Sequence, residues 1–157
     1  MSEVFINKAR AVAITGHRIL HGDFDVNKLK KLLTKFVDKD FNVFLVGMAL
    51  GFDAICFQFL EEIRKERDIK IIACIPCLNQ DYRFTVKQKQ EYQRMVESAD
   101  EKIVLSEEYY SGCMQKRNRF MVENCSVVLA YLKRDYGGTA YTVKYARKLN
   151  IPIVEID

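Results

Sequence analysis

The chain has 157 residues, 49% hydrophobic and 29% charged, which indicates one globular domain with a buried core and excludes a disordered or fibrous chain. Its formal net charge of +4 suits an anionic ligand but is too small to demand nucleic acid by itself. No apolar run is long enough to span a membrane and the sequence opens on no signal-peptide pattern, so a cytoplasmic protein is expected.

The elements follow in chain order. Ala11 to Thr15 is a short continuous apolar run, the mark of a strand buried on both faces. Asp25 then caps a helix to about Val37, with Leu29, Leu32, Leu33, Phe36 and Val37 on one stripe. Asn42 to Val46 is a strand, and Phe52 to Arg67 a helix with Ile55, Phe59, Leu60 and Ile63 at helical spacing. Lys70 to Ile75 is a third strand, stopped by Pro76; residues 77–84 form a loop and Thr85 to Ser98 a polar helix. A strand at Lys102–Leu105, a turn at Tyr109–Gly112 and a helix at Cys113–Asn124 come next. A strand at Ser126–Leu132, a helix at Thr139–Leu149 and a last strand at Pro152–Ile156 complete the chain. This alternation predicts a mainly parallel sheet of about six strands with helices on both faces, joined by right-handed crossovers.

Five cysteines, Cys56, Cys74, Cys77, Cys113 and Cys125, lie mostly within apolar patterns. Cys74 and Cys77 have CxxC spacing, but no second CxxC or suitable His pair accompanies them, so no metal site is expected. They read as reduced, buried hydrophobes.

Three strands are followed by glycine turns, and in open α/β sheets ligands bind at such carboxyl ends. The first turn, Thr15-Gly16-His17-Arg18, offers a permissive backbone and two potential cations, with Arg18 able to grip a phosphate and His17 able to donate or titrate. The second carries Gly47, Gly51 and Asp53, and the carboxylate has two roles open to it: capping its helix or binding a ribose hydroxyl. Neither GxGxxG nor GxxxxGK[ST] is present, which argues against a dinucleotide Rossmann enzyme and a P-loop NTPase. The third, Gly137-Gly138-Thr139, opens a helix whose free N–H groups and positive dipole end suit an anion, with Thr139 and Thr142 able to add hydroxyls. Lys116, Arg117 and Arg119 cannot share one helix face, and by themselves they read as a solvated basic surface.

Taken in order, Ile14–Arg18, Gly47–Asp53, Arg117-Asn118 and Gly137–Thr142 resemble the YpsA-like family of the SLOG superfamily, which groups Smf/DprA with the LOG-type phosphoribohydrolases. The resemblance runs from the first strand to the last. It implies a Rossmann-like three-layer sandwich that binds a nucleotide or nucleotide-derived ligand, such as an NAD derivative, with no cofactor required. By the same resemblance Gly16, His17, Arg18, Gly47, Gly51, Asp53, Arg117, Asn118, Gly137, Gly138, Thr139 and Thr142 line the pocket, which overrides the solvated reading of Arg117 and Asn118. LOG-type hydrolases look like PGGxGTxxE at the last turn. Here the proline, the second GT and the glutamate are missing, and Thr142 stands roughly where the carboxylate would be.

The leading expectation is therefore a module that senses or sequesters a ligand containing ribose and phosphate. Cleavage of a nucleotide N-glycosidic bond is an alternative, with Asp53 as the nearest carboxylate. Single-stranded DNA binding is a further one, allowed by the basic and aromatic residues from Tyr82 to Arg94. Tyr82 or Phe84 would stack a base, and pairing through helices makes a homodimer possible.

Overall fold

In the computed structural model, which describes residues 4–157, alternate residues of the interior strands go to opposite faces of one sheet. The elements are β1 (Ala11–Gly16), α1 (Val26–Asp38), β2 (Val43–Val46), α2 (Phe52–Arg64), β3 (Lys70–Ile75), α3 (Val86–Ser98), β4 (Glu101–Val104), α4 (Cys113–Glu123), β5 (Val127–Tyr131), α5 (Gly138–Lys148) and β6 (Ile153–Glu155). A short 3-10 turn at Lys8–Arg10, with no sequence signal, precedes β1.

The six strands lie in the order β4-β3-β2-β1-β5-β6, and every pairing is parallel, so the sheet is parallel throughout rather than mainly so. The chain steps outward from β1 to β4, then returns to the other side of β1. Right-handed crossovers in opposite directions place helices on opposite faces. Accordingly Val12, Ile14, Phe44 and Val46 join residues of α1, α2 and α3 in one core cluster, while Ala11, Ala13, Val43 and Leu45 join residues of α4 and α5 in the other. Three layers result, and strand order reverses beside β1.

Local chemistry sets the helix ends. Asp25 Oδ1 accepts the Asn27 and Lys28 amides at 3.0 and 3.1 Å, and Thr85 forms a reciprocal capping box with Gln88. The second helix closes at Arg64 rather than Arg67, because the Glu66 and Arg67 amides fold back on the Ile63 carbonyl before β3. Its fully buried stripe is Phe52, Cys56, Phe57 and Leu60, whereas Ile55 and Phe59 are only half-buried. All five cysteines are free and buried, and burial pushes the Cys74 thiol up to about 12. Among the described residues no helix is long and apolar enough to cross a membrane, and no group of three or more His, Cys, Asp or Glu could hold a metal ion.

Candidate functional site

A cleft of about 930 Å³ opens at the carboxyl edge of the sheet, above β1, β2 and β5. A second depression, of about 770 Å³, runs along the lysine face of α1 and has no buried polar residue in its wall. The first differs in kind. Among the described residues the buried polar or charged ones are His17, Asp53, Arg117, Thr139 and Thr142, and all but Thr142 line this cleft. Buried polar groups are costly, so their concentration at one hollow marks a built site.

The turn after β1 is held against α2. A Cβ on Gly16 would fall inside the Phe52 side chain, which is fully buried and stacked on Tyr131 at 5.7 Å. The Phe52 amide donates to the His17 carbonyl at 3.2 Å. His17 is buried, and its Nε2 accepts the Lys133 amide at 2.9 Å, which makes this ring a neutral acceptor at that nitrogen. Burial lowers its pKa, and Arg134 and His21 lower it further. The sequence offered His17 as a cation; the structure uses it to tie the β1 turn to the β5 turn. Arg18 is exposed on the cleft wall.

The turn after β2 is the polar centre. Met48, buried, has left-handed backbone with φ 64° and swings the chain so that the Ala49 amide donates to Asp53 Oδ2 at 3.2 Å. Asp53 thus ties down the turn ahead of its helix, while the helix start at Gly51 receives no side-chain cap. Its Oδ1 is fully buried and has no hydrogen-bond partner among the described residues. Burial raises its pKa to about 7, against the opposing pull of Arg117 and the Ala49 amide.

Arg117 comes in from α4 with its guanidinium already engaged. Nη1 donates to the Gly47 carbonyl and, at 3.4 Å, to the Cys74 carbonyl, while Nε donates to Asn118 Oδ1 at 2.8 Å. A Cβ on Gly47 would lie 3.0 Å from the Arg117 guanidinium and 3.2 Å from Asp53 Oδ2, so glycine is what lets the two charges approach. The solvated reading of Arg117 gives way here: it is a buried brace joining β2, β3 and α4. We expect Arg117→Ala to cost about 2–4 kcal/mol in urea unfolding, since it strands buried acceptors and removes the counter-charge of Asp53. Arg134→Ala, at an exposed position, should stay within about 0.5 kcal/mol.

The turn after β5 is open. Gly137, with φ 93°, precedes α5 and provides no side-chain cap, so the first amides of the helix face the cleft without a capping side chain. A Cβ on Gly138 would meet only Asn118 Nδ2, at 3.7 Å. The Asn118 amide nitrogen therefore flanks the α5 start while its oxygen is held by Arg117. Thr139 lines the wall. Thr142 does not: its hydroxyl donates to the Gly138 carbonyl at 2.8 Å within the helix. Gly51 is also off the wall, where it accommodates the Arg18 backbone. The other ten residues expected at the pocket all line it.

Sequence reasoning missed three contributors. Arg134 sits 4.9 Å over the Tyr136 ring, with Nη2 3.4 Å from where a Gly137 Cβ would be, beside the α5 start. Its position next to the glycine pair was the available signal. Gln80 donates to the Gly47 carbonyl at 2.9 Å and accepts from Tyr92, so the loop after β3 is tied to the polar centre. Tyr109, 61% exposed, faces the cleft from the loop after β4. Tyr82 is 74% exposed there too, while Phe84 packs edge-on against Tyr92.

This is a Rossmann-like α/β protein with a cleft at its strand-order reversal. The profile of the YspA SLOG family matches residues 25–153, and the chain belongs to that family. It is 30% identical over 136 residues to the uncharacterized SPbeta prophage-derived protein YoqJ of Bacillus subtilis, covering 78% of this chain and 80% of that one. A UPF0398 protein of Brevibacillus brevis is 23% identical over 124 residues, 76% of this chain and 66% of its own. Among solved structures, DNA processing protein A from Streptococcus pneumoniae superposes with a TM-score of 0.70 at 17% identity, over 95% of this chain and 50% of that one. DNA processing protein A from Helicobacter pylori, whose structure concerns single-stranded DNA binding, gives 0.67 at 20% identity, over 96% and 66%. The chain thus spans about half to two thirds of those two proteins, and the likeness is one of fold.

Proposed function

We propose that the protein binds a nucleotide or nucleotide-derived ligand that carries ribose and phosphate. One observation carries the reading: the order of chemistry along the sheet edge. Exposed Tyr82 and Tyr109 follow β3 and β4, Asp53 follows β2, and the uncapped α5 start with Arg134 follows β5. Across β4-β3-β2-β1-β5 this reads aromatic face, hydrogen-bond acceptor, anion site. A nucleotide presents base, sugar and phosphate in the same order. Aromatic rings stack a base, and helix N-terminal amides with a guanidinium hold a phosphate.

A thermal-shift screen against nucleoside mono- and diphosphates and ADP-ribose tests this. One ligand class should raise the melting temperature with concentration. Gly138→Val should abolish that shift with little loss of basal stability, because its side chain projects toward the anion position and meets only Asn118. No shift with any nucleotide would remove the reading.

A second reading, single-stranded DNA, is favoured by the same exposed tyrosines lying beside Arg18, Arg83 and Arg134. Affinity for an oligonucleotide that falls steeply with added salt, combined with none for mononucleotides, would select it. Hydrolysis of the N-glycosidic bond would have to employ Asp53, the one acidic residue on the cleft wall among those described, and would appear as free base in the same incubations.

A further inference from the structure

We infer that His17 is a positioning residue and a pH-sensitive latch: its neutral ring fastens the turn after β5, and a proton on Nε2 releases that turn and weakens anion binding in the cleft. The identity of the anion rests on the nucleotide reading above; the latch itself does not.

The latch is one hydrogen bond. The Lys133 amide donates to His17 Nε2 at 2.9 Å, across 116 residues of chain. Two further hydrogen bonds of this turn are local. Arg134 Nε donates to the Tyr136 carbonyl and Lys144 Nζ to the Asp135 carbonyl, each at 3.4 Å, and neither reaches β1. The same turn carries Arg134, whose Nη2 lies 3.4 Å from where a Gly137 Cβ would be, beside the start of α5. Holding Lys133 therefore holds Arg134 where a phosphate would meet it.

The chemistry of the ring makes this bond conditional. With Nε2 accepting, the single ring proton is on Nδ1, so a second proton has only Nε2 to occupy. It would then face the Lys133 N–H, donor against donor, and the bond is lost. The surroundings do not oppose the release. Tyr131 of β5 meets the ring edge-on at 5.8 Å, and α2 packs the turn with apolar Phe52. Burial lowers the pKa of the ring, and the charges of Arg134 and of His21, in the loop before α1, lower it further. The midpoint of release thus lies below the ordinary histidine value of 6.5.

The sign is what separates a latch from a simple cation. Added positive charge ordinarily draws an anion in. Asp53, the other titrating group on the cleft wall, acts in that ordinary direction, since protonating a carboxyl of pKa about 7 removes negative charge as pH falls. Only loss of the His17 tie makes acid expel the ligand.

NMR of the ligand-free protein and calorimetry with ADP-ribose and AMP, both from pH 8 to pH 4.5, test this on wild type, His17→Gln and His21→Gln. A terminal phosphate itself titrates at about pH 6, so the AMP curves are read as the ratio of wild type to His17→Gln, which cancels it. In wild type the Lys133 amide resonance should move with the His17 ring and share its midpoint. One pH unit below that midpoint, ADP-ribose should bind about fivefold or more weakly than at pH 8. Gln offers an acceptor oxygen that takes no proton, so His17→Gln should lose the acid fall, while His21→Gln keeps it. A wild-type affinity that is flat or rises toward acid would overturn the inference. So would a fall undiminished in His17→Gln, or a Lys133 amide that ignores the ring, and this last measurement stands even where Gln disturbs the fold. Failure of every nucleotide to bind at pH 8 would remove the nucleotide reading; a Lys133 amide that still follows the ring would then support the latch on its own.

Discussion

Asp53→Asn should flatten the dependence of stability on pH and raise the urea midpoint at pH 8. The carboxyl has an ordinary pKa of 3.8 and is raised to about 7 in the fold, chiefly by burial. An acid whose folded pKa is raised binds more protons folded than unfolded between those values. Stability therefore falls as pH climbs from about 4 to about 7, and the loss is complete above that. At about 1.4 kcal/mol per unit, the penalty is roughly 4 kcal/mol. Asn carries no charge and escapes it, but leaves an unpaired buried amide worth about 1–3 kcal/mol. The net gain at pH 8 is then about 1–3 kcal/mol, with little difference at pH 4. Urea titrations at pH 4, 6 and 8 check this, and parallel profiles for the two proteins would contradict it. A group that destabilises its own fold at neutral pH is what a site residue looks like when ligand supplies the missing partner.

Gly51→Ala should be the most damaging single-methyl change in the molecule. Gly51 has φ 78°, and an added Cβ would run into the Arg18 carbonyl group, a backbone atom that no rotamer change can move. Positive φ costs an alanine about 1–2 kcal/mol, and overpacking against fixed backbone adds about 1–3 kcal/mol or more. Gly112 isolates the first contribution. It has φ 98° with nothing within 4 Å, so Gly112→Ala should show the conformational cost alone, about 1–2 kcal/mol. Urea midpoints for the pair, measured beside wild type, give the difference directly. Equal losses would mean that the β1 turn yields, and that Gly51 is not what seats Arg18 over α2.

Gly51 also illustrates how a correct motif can conceal its reason. The Gly47–Asp53 segment was legible as part of the site, and glycine at 51 reads from sequence as a ligand contact. The fold puts a neighbouring loop, not ligand, against it. Arg117 is a stronger case. Helical periodicity assigns it to a solvated face, yet the return of β5 beside β1 buries it under α4, with its donors on the Gly47 and Cys74 carbonyls. Thr142 fails for a local reason, since a threonine within a helix can satisfy its hydroxyl on the carbonyl one turn back.

What could be read from the chain alone was local: the alternation of strand and helix, the Asp25 cap, the apolar strand interiors, and the three glycine turns. These follow from periodicity and backbone sterics, which neighbours in sequence determine. What only the tertiary structure decided was long-range: the order β4-β3-β2-β1-β5-β6, the engagement of Arg117, the neutrality of His17, the addition of Arg134, Gln80 and Tyr109, and the perturbed carboxyl of Asp53. Burial and charge at each of these positions are set by residues far away in sequence, and desolvation has no local signature.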